Sequence, residues 1–203
     1  MKANTNLLEP EKFYHIYNRG INGENIFKEQ RNYYYFLKLF EKFITPITET
    51  FAYCLLPNHF HFFIKTLPEE MIKSSKFHRN QNIQHFLGNQ FAKAFNSYTQ
   101  ALNKSINRTG SLFEHPFRRK TIDSNDYISK LIWYIHFNPQ KHKLTKDFKD
   151  YPFSSYQSIL SSKSTNLKRY EVIEWFGGIE SFKTFHEEMT EQRTLDESIF
   201  NFD

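Results

Sequence analysis

The apolar positions of this chain change period several times, and each change marks an element. Phe13 to Tyr17 alternates aromatics, His15 and Ile16 in strand fashion, before the turn signals Asn18-Arg19-Gly20 and Asn22-Gly23. From Glu29 to Phe43 the apolar residues Tyr33, Phe36, Leu37, Leu39, Phe40 and Phe43 recur at helical spacing. Thr48 to Leu56 is rich in Thr, Phe and Tyr and predicts a strand. Pro57-Asn58 turns the chain, and His59 to Thr66 predicts the returning strand. A polar, basic stretch follows from Pro68 to Asn82. The next helix, about Ile83 to Leu102, has a core stripe of Ile83, Leu87, Phe91, Ala94, Phe95, Tyr98 and Leu102. Its other face carries Asn89, Lys93, Asn96 and Gln100.

Thr109-Gly110 stops that pattern. Leu112 to Ile122 is short and reads as a strand only by its place in the order. Asp123 or Ser124 can cap a further helix, which has Ile128, Leu131, Ile132 and Ile135 on its core face. Pro139 is expected to end it, because a residue before proline is pushed out of helical geometry. Short helical pieces are expected around 154–160, 170–175 and 179–189, and then a polar tail. The order of strand, helix, hairpin, helix, strand, helix predicts a ferredoxin-like α+β fold: an antiparallel sheet with helices packed on one face. We place a main domain at 1–160 and a helical extension with an acidic tail at 161–203.

The chain's 203 residues suit one domain with a short extension. With 39% hydrophobic residues and no run of about 18 apolar ones, it is neither disordered nor expected to span a membrane. No apolar signal-peptide core opens it, and its single cysteine, Cys54, excludes an internal disulfide framework, so a cytoplasmic protein is expected. The net charge of +5 is unevenly spread. From Met71 to Lys120 there are 9 basic residues against Glu114 alone, whereas Ser181 to Asp203 carries 2 basic and 6 acidic residues. A basic block interleaved with Phe, Tyr, Asn and Gln fits either a polyanion partner or a solvated face.

Two clusters carry candidate chemistry. In a strand, His59 and His61 share a face and Phe60 points away, so two imidazoles can meet one divalent metal. With 9 histidines, chance alone yields roughly 0.4 such pairs, so the pair gains meaning from its place after the Pro57-Asn58 turn. Two histidines do not hold a catalytic magnesium by themselves, so a third, oxygen ligand is expected. The second cluster is Tyr134-Ile135-His136-Phe137-Asn138-Pro139. Tyr134 and Asn138 lie on adjacent turns of one helix face. A phenol can act as a nucleophile, and an amide oxygen suits a hard cation. The competing reading makes Tyr134 a core-edge residue and Asn138 a C-cap. Tyr127, two turns earlier, is the alternative nucleophile, and His136 reads as structural.

The chain resembles the single-tyrosine HUH (His-hydrophobic-His) transposases, and within them the REP-associated tyrosine transposases. Four landmarks carry the likeness in order: 14–20 (YHIYNRG), 53–61 (YCLLPNHFH), 107–113 (NRTGSLF) and 134–139 (YIHFNP). Weaker echoes follow at 151–156 and 175–178, so the likeness covers about Phe13 to Met189. The resemblance implies metal-dependent cleavage of single-stranded DNA through a 5′-phosphotyrosine, followed by strand rejoining. Carried over, Tyr134 is the nucleophile, and His59, His61 and Asn138 hold Mg2+ or Mn2+. The implied partner is hairpin-forming single-stranded DNA, handled by a monomer or a homodimer. Lys93, Arg108, Arg118, Arg119 and Lys120 are phosphate candidates, while Arg19 either contacts phosphate or braces its turn. The alternative is a non-cutting DNA-binding regulator on the same fold. A histidine-pair hydrolase, which would leave no adduct, is a third reading.

Overall fold

A computed structural model describes residues 7–73 and 82–195. The middle of the basic stretch, 74–81, and the end of the acidic tail, 196–203, lie outside the described residues. The strands are β1 (Phe13–Arg19), β2 (Thr48–Leu56), β3 (His59–Thr66) and β4 (Arg118–Thr121). The helices are α1 (Gln30–Phe43), α2 (Glu69–Lys73), α3 (Ile83–Ser105), α4 (Asn125–Lys141), α5 (Tyr156–Leu160), α6 (Arg169–Trp175) and α7 (Ile179–Leu195). The sheet order is β2-β3-β1-β4, with every neighbouring pair antiparallel. This is the ferredoxin-like arrangement expected from the element order.

Strand alternation sorts β3 into two faces. Phe60, Phe62 and Ile64 join the core built with α1 and α3; Phe40 stacks on Phe62 at 4.1 Å and Phe36 meets Phe60 at 5.1 Å. His59, His61 and Phe63 take the other face. The helix pair α1 and α3 therefore lies on one face, as predicted, and the opposite face is covered too. There Phe63, Cys54 and Leu56 share a second core with Leu131, Ile132 and Ile135 of α4 and with Phe182 and Met189 of α7. Residues 131–139 are all buried. A helix apolar on every side needs cover on every side, and α5 to α7 help to supply it. The segment around 153–155 covers the outer edge of β2, where Leu55 N–H donates to Phe153 O at 3.0 Å and Ser155 N–H to Tyr53 O at 2.9 Å.

Pro139 does not end α4. The helix runs on to Lys141, and Asn138 lies inside it rather than at its C-cap, which is His142. The turn after the proline closes its own carbonyls: His142 N–H donates to Asn138 O at 2.9 Å and Leu144 N–H to Pro139 O at 2.8 Å. Lys143 supplies the left-handed residue, at φ 57°, that such a helix end uses. Those bonds outweigh the local pre-proline preference. The helix start falls at Ser124, one of the two expected caps, although no side-chain capping bond forms.

His136 belongs to a buried chain whose proton positions are fully determined. His186 Nδ1 must donate to the Phe182 carbonyl at 2.8 Å, so its Nε2 accepts from His136 Nδ1 at 2.9 Å. His136 Nε2 then accepts from Ser155 Oγ at 2.7 Å, and Ser155 Oγ accepts from Tyr53 N–H at 2.9 Å. The chain ties β2, α4 and α7 together and engages both ring nitrogens of His136. Burial pushes both histidines down, His136 well below the usual range and His186 to about 3. Unfolded, each would protonate near 6.5. The unfolded state therefore binds more protons below that pH, so stability is full above it and falls as pH drops toward the folded values. We expect a loss of about 1.4 kcal/mol per pH unit for each histidine below pH 6. Urea midpoints at pH 7 and pH 5 check this; equal midpoints would contradict it.

Candidate active site

The turn that starts the site is set by a close approach. A Cβ on Gly20 would sit 2.1 Å from the Glu24 carbonyl oxygen, so only glycine fits after Arg19. The pairing of β1 with β3 then sets Tyr17 opposite His61 and Arg19 opposite His59. Tyr17, Arg19, Asn58, His59, His61 and His142 are among the residues lining a cleft of about 190 Å³ on the α4 side of the sheet.

Each histidine of the pair has one ring nitrogen engaged. His59 Nδ1 meets Asn58 Oδ1 at 2.6 Å, and His61 Nδ1 meets His15 Nε2 at 3.0 Å. His61 Nε2 is buried and has no hydrogen-bond partner among the described residues. Burial holds His61 well below the usual histidine range, and His15, His59, Lys141 and His142 push the same way, so the ring is neutral. A neutral imidazole is the form that binds metals. The Tyr134 ring on α4 packs edge-on at 5.8 Å from His61 but is not among the residues lining the cleft. Lys141 Nζ donates to the Tyr134 hydroxyl at 3.1 Å and lies over the ring at 4.9 Å. Tyr134 is only 1% exposed. One turn on, Asn138 Nδ2 donates to Tyr134 O at 2.8 Å, and its Oδ1 is buried with no partner among the described residues.

Among the described residues, no group of three His, Cys, Asp or Glu forms a metal site. The side chains that could hold a cation here are the imidazoles of His59 and His61 and the carboxamide of Asn138. Leaving a buried polar atom unpaired costs about 1–3 kcal/mol, so two such atoms, His61 Nε2 and Asn138 Oδ1, mark places suited to an incoming ligand.

The predicted DNA residues separate by strand face. Arg118 and Lys120 pair with Tyr17 and His15 and share the histidine face. Arg119, between them, pairs with Ile16, points to the other layer and lies over the Phe117 ring at 4.8 Å. Arg19 and Arg118 flank Glu114 at 2.5 and 3.6 Å, and all three line the cleft. Lys120 donates to the Tyr127 hydroxyl at 2.8 Å. Arg108 braces its loop instead of facing a cleft: it donates to Glu24, to Asn103 Oδ1 and to the carbonyls of 109–111. Lys93 is exposed on α3. Sequence reading missed His15, Lys141, His142 and Glu114 as site residues; only Lys141 carried a signal, two helical turns after Tyr134.

No family model matches the chain. Over 111 residues it is 29% identical to a REP-associated tyrosine transposase of Haemophilus influenzae, a match spanning 53% of this chain and 58% of that protein. Its fold matches the solved structure of a REP-associated tyrosine transposase bound to a REP hairpin, with a TM-score of 0.56 and 17% identity over 80% of this chain and 86% of that one.

Proposed function

We propose that this protein, similar in sequence and fold to REP-associated tyrosine transposases, cleaves and rejoins single-stranded DNA at the histidine cleft with Tyr134 as nucleophile. One observation carries the reading: the buried His61 Nε2 and Asn138 Oδ1 have no hydrogen-bond partner among the described residues, and the Tyr134 ring, one turn before Asn138 on α4, packs against His61 at 5.8 Å. His59, His61 and Asn138 would hold Mg2+ or Mn2+, which when bound supplies polarisation of a non-bridging phosphate oxygen. The Tyr134 oxygen forms the bond to phosphorus, the bond to the 3′ oxygen breaks, and the phenol proton leaves as the 3′ oxygen gains one. This yields a 5′-phosphotyrosine and a 3′-hydroxyl, and rejoining reverses the same bonds without ATP. The Lys141 ammonium is placed to stabilise a phenolate at Tyr134. It also lies over that buried ring, so its flexible side chain must move when a strand engages.

The burial of Tyr134 also favours a second reading, a binder of single strands that does not cut. Labelled hairpin oligonucleotides incubated with manganese and run on a denaturing gel decide between the two. A covalent adduct supports cleavage; DNA binding without an adduct supports the binder.

His15 is a positioning residue in this reading. For His61 Nε2 to offer a lone pair, His61 Nδ1 must carry the proton and donate to His15 Nε2. His15→Phe removes that acceptor and should weaken manganese binding about 10- to 100-fold, measured by titration without DNA. His15→Gln, which offers an acceptor, should restore part of it.

Binding should weaken steeply with salt. Arg19→Ala and Arg118→Ala should each reduce the slope of log affinity against log salt by about 0.7. Arg119→Ala should leave the slope unchanged and lower the melting temperature, because its guanidinium packs on Phe117.

A further inference from the structure

Among the described residues, Glu114 is the one carboxylate lining the histidine cleft. A negative charge there opposes an approaching strand, so its presence needs a reason. Stability does not supply one. The Arg19 and Arg118 side chains beside it are 62% and 49% exposed, and ion pairs that open to solvent add little to folding.

The local geometry points to the arginines instead. Glu114 Oε1 accepts from Arg19 Nε at 2.5 Å, and its Oε2 stands 3.6 Å from Arg118 Nη2. The carboxylate is the least exposed of the three, at 27%. Its backbone is fixed from both sides. Glu114 N–H donates to Arg19 O at 2.9 Å, and Glu114 O accepts from the buried Asn18 Nδ2 at 3.1 Å. Asn18 Oδ1 in turn accepts from Arg19 N–H at 2.9 Å. The carboxylate therefore meets the two guanidiniums from a rigid base. It engages Arg19 through Nε and Arg118 through Nη2, and the remaining guanidinium N–H groups have no partner among the described residues. An arginine held at one edge keeps another edge for an oxyanion. Two guanidiniums against one carboxylate leave a net charge of +1, which matches the single negative charge of a phosphodiester.

We infer that Glu114 is a positioning residue, which sets Arg19 and Arg118 as a pair to receive the strand's phosphate backbone without touching DNA itself. The inference rests on the reading of the cleft as a single-stranded DNA site. Free arginine side chains lose rotamer freedom when they bind, and a carboxylate that restricts both beforehand removes part of that cost. The gain exceeds the repulsion, because the two arginines screen the carboxylate from the strand.

The test measures the affinity of the full chain for a labelled hairpin oligonucleotide with unpaired flanks, by fluorescence anisotropy over a salt series. Glu114→Ala should bind about 5-fold or more weakly, although it removes a negative charge from the cleft. The slope of log affinity against log salt should also fall, because the arginine contacts are made less often. Glu114→Gln, which keeps one acceptor oxygen, should lie between alanine and the wild type. In an Arg19→Ala/Arg118→Ala background, Glu114→Ala should cost nothing further. The bonds to Asn18 and Arg19 O use the Glu114 backbone, so the melting temperature should hold. Tighter binding by Glu114→Ala overturns the inference, as does a penalty that persists without the two arginines. An Arg19→Ala/Arg118→Ala variant that binds like the wild type and still forms the covalent adduct overturns the inference and leaves cleavage by Tyr134 standing. A Glu114 penalty confined to the arginines, with no adduct in the wild type, supports the inference and removes cleavage.

Discussion

Replacing Tyr134 by phenylalanine is expected to abolish the covalent protein–DNA adduct while DNA binding and folding persist. The ring is what packs: it is buried on α4 and meets His61 edge-on at 5.8 Å. Phenylalanine keeps that contact and loses only the hydroxyl bonded to Lys141, a bond worth about 1 kcal/mol. Chemistry suffers far more, because no other oxygen stands at that position to attack phosphorus. We expect cleavage to fall by at least about 10,000-fold. Tyr127→Phe is the matched control. Its hydroxyl is held by Lys120 in a similar way, and it lies two turns earlier on the same helix. An adduct that survives in Tyr134→Phe and vanishes in Tyr127→Phe would move the nucleophile by two turns.

Much of the fold was legible because its signals are local. Alternation of Phe60, Phe62 and Ile64 against His59 and His61 sets the two faces of β3, and the Pro57-Asn58 turn sets its register with β2. The α1 and α3 stripes likewise read directly as core. What stayed hidden depends on partners distant in sequence. The α4 stripe reads as one-sided, yet residues 131–139 are buried all round, because helices about 50 residues later close over them. Pro139 reads as a stop, but hydrogen bonds from 142–144 carry the helix past it.

The site divides in the same way. His59, His61, Tyr134 and Asn138 are visible through spacing within one element. The neighbours that tune them come from other strands and loops: His15 through the β1–β3 register, Glu114 through the loop that leads into β4. The basic run 118–120 illustrates the limit. Read as a cluster of like charges, it suggests one patch, but the pleat sends Arg119 to the opposite layer from Arg118 and Lys120.

His59→Ala and His61→Ala are each expected to reduce cleavage by at least about 1,000-fold, with EDTA giving the same loss in the wild type. The two variants differ in what else they disturb. His61 is buried and bonded to His15, so its loss also strands a buried nitrogen and lowers the melting temperature. His59 is half-buried at the cleft and bonded to the adjacent Asn58, so its variant should stay folded and gives the cleaner measurement. Asn138→Ala sharpens the test. Its Oδ1 has no partner, so removing it relieves a buried unsatisfied atom, while the Nδ2 bond to Tyr134 O is lost. Alanine is also the better helix former, so the net stability change should be small. Were Asn138 a metal ligand, the manganese concentration for half-maximal cleavage should rise with little change in melting temperature. Manganese titration in the absence of DNA should show the same order of weakening for all three variants. Wild-type cleavage that proceeds equally in EDTA would end the metal reading. An unchanged manganese midpoint in Asn138→Ala would confine Asn138 to its bond with the Tyr134 carbonyl.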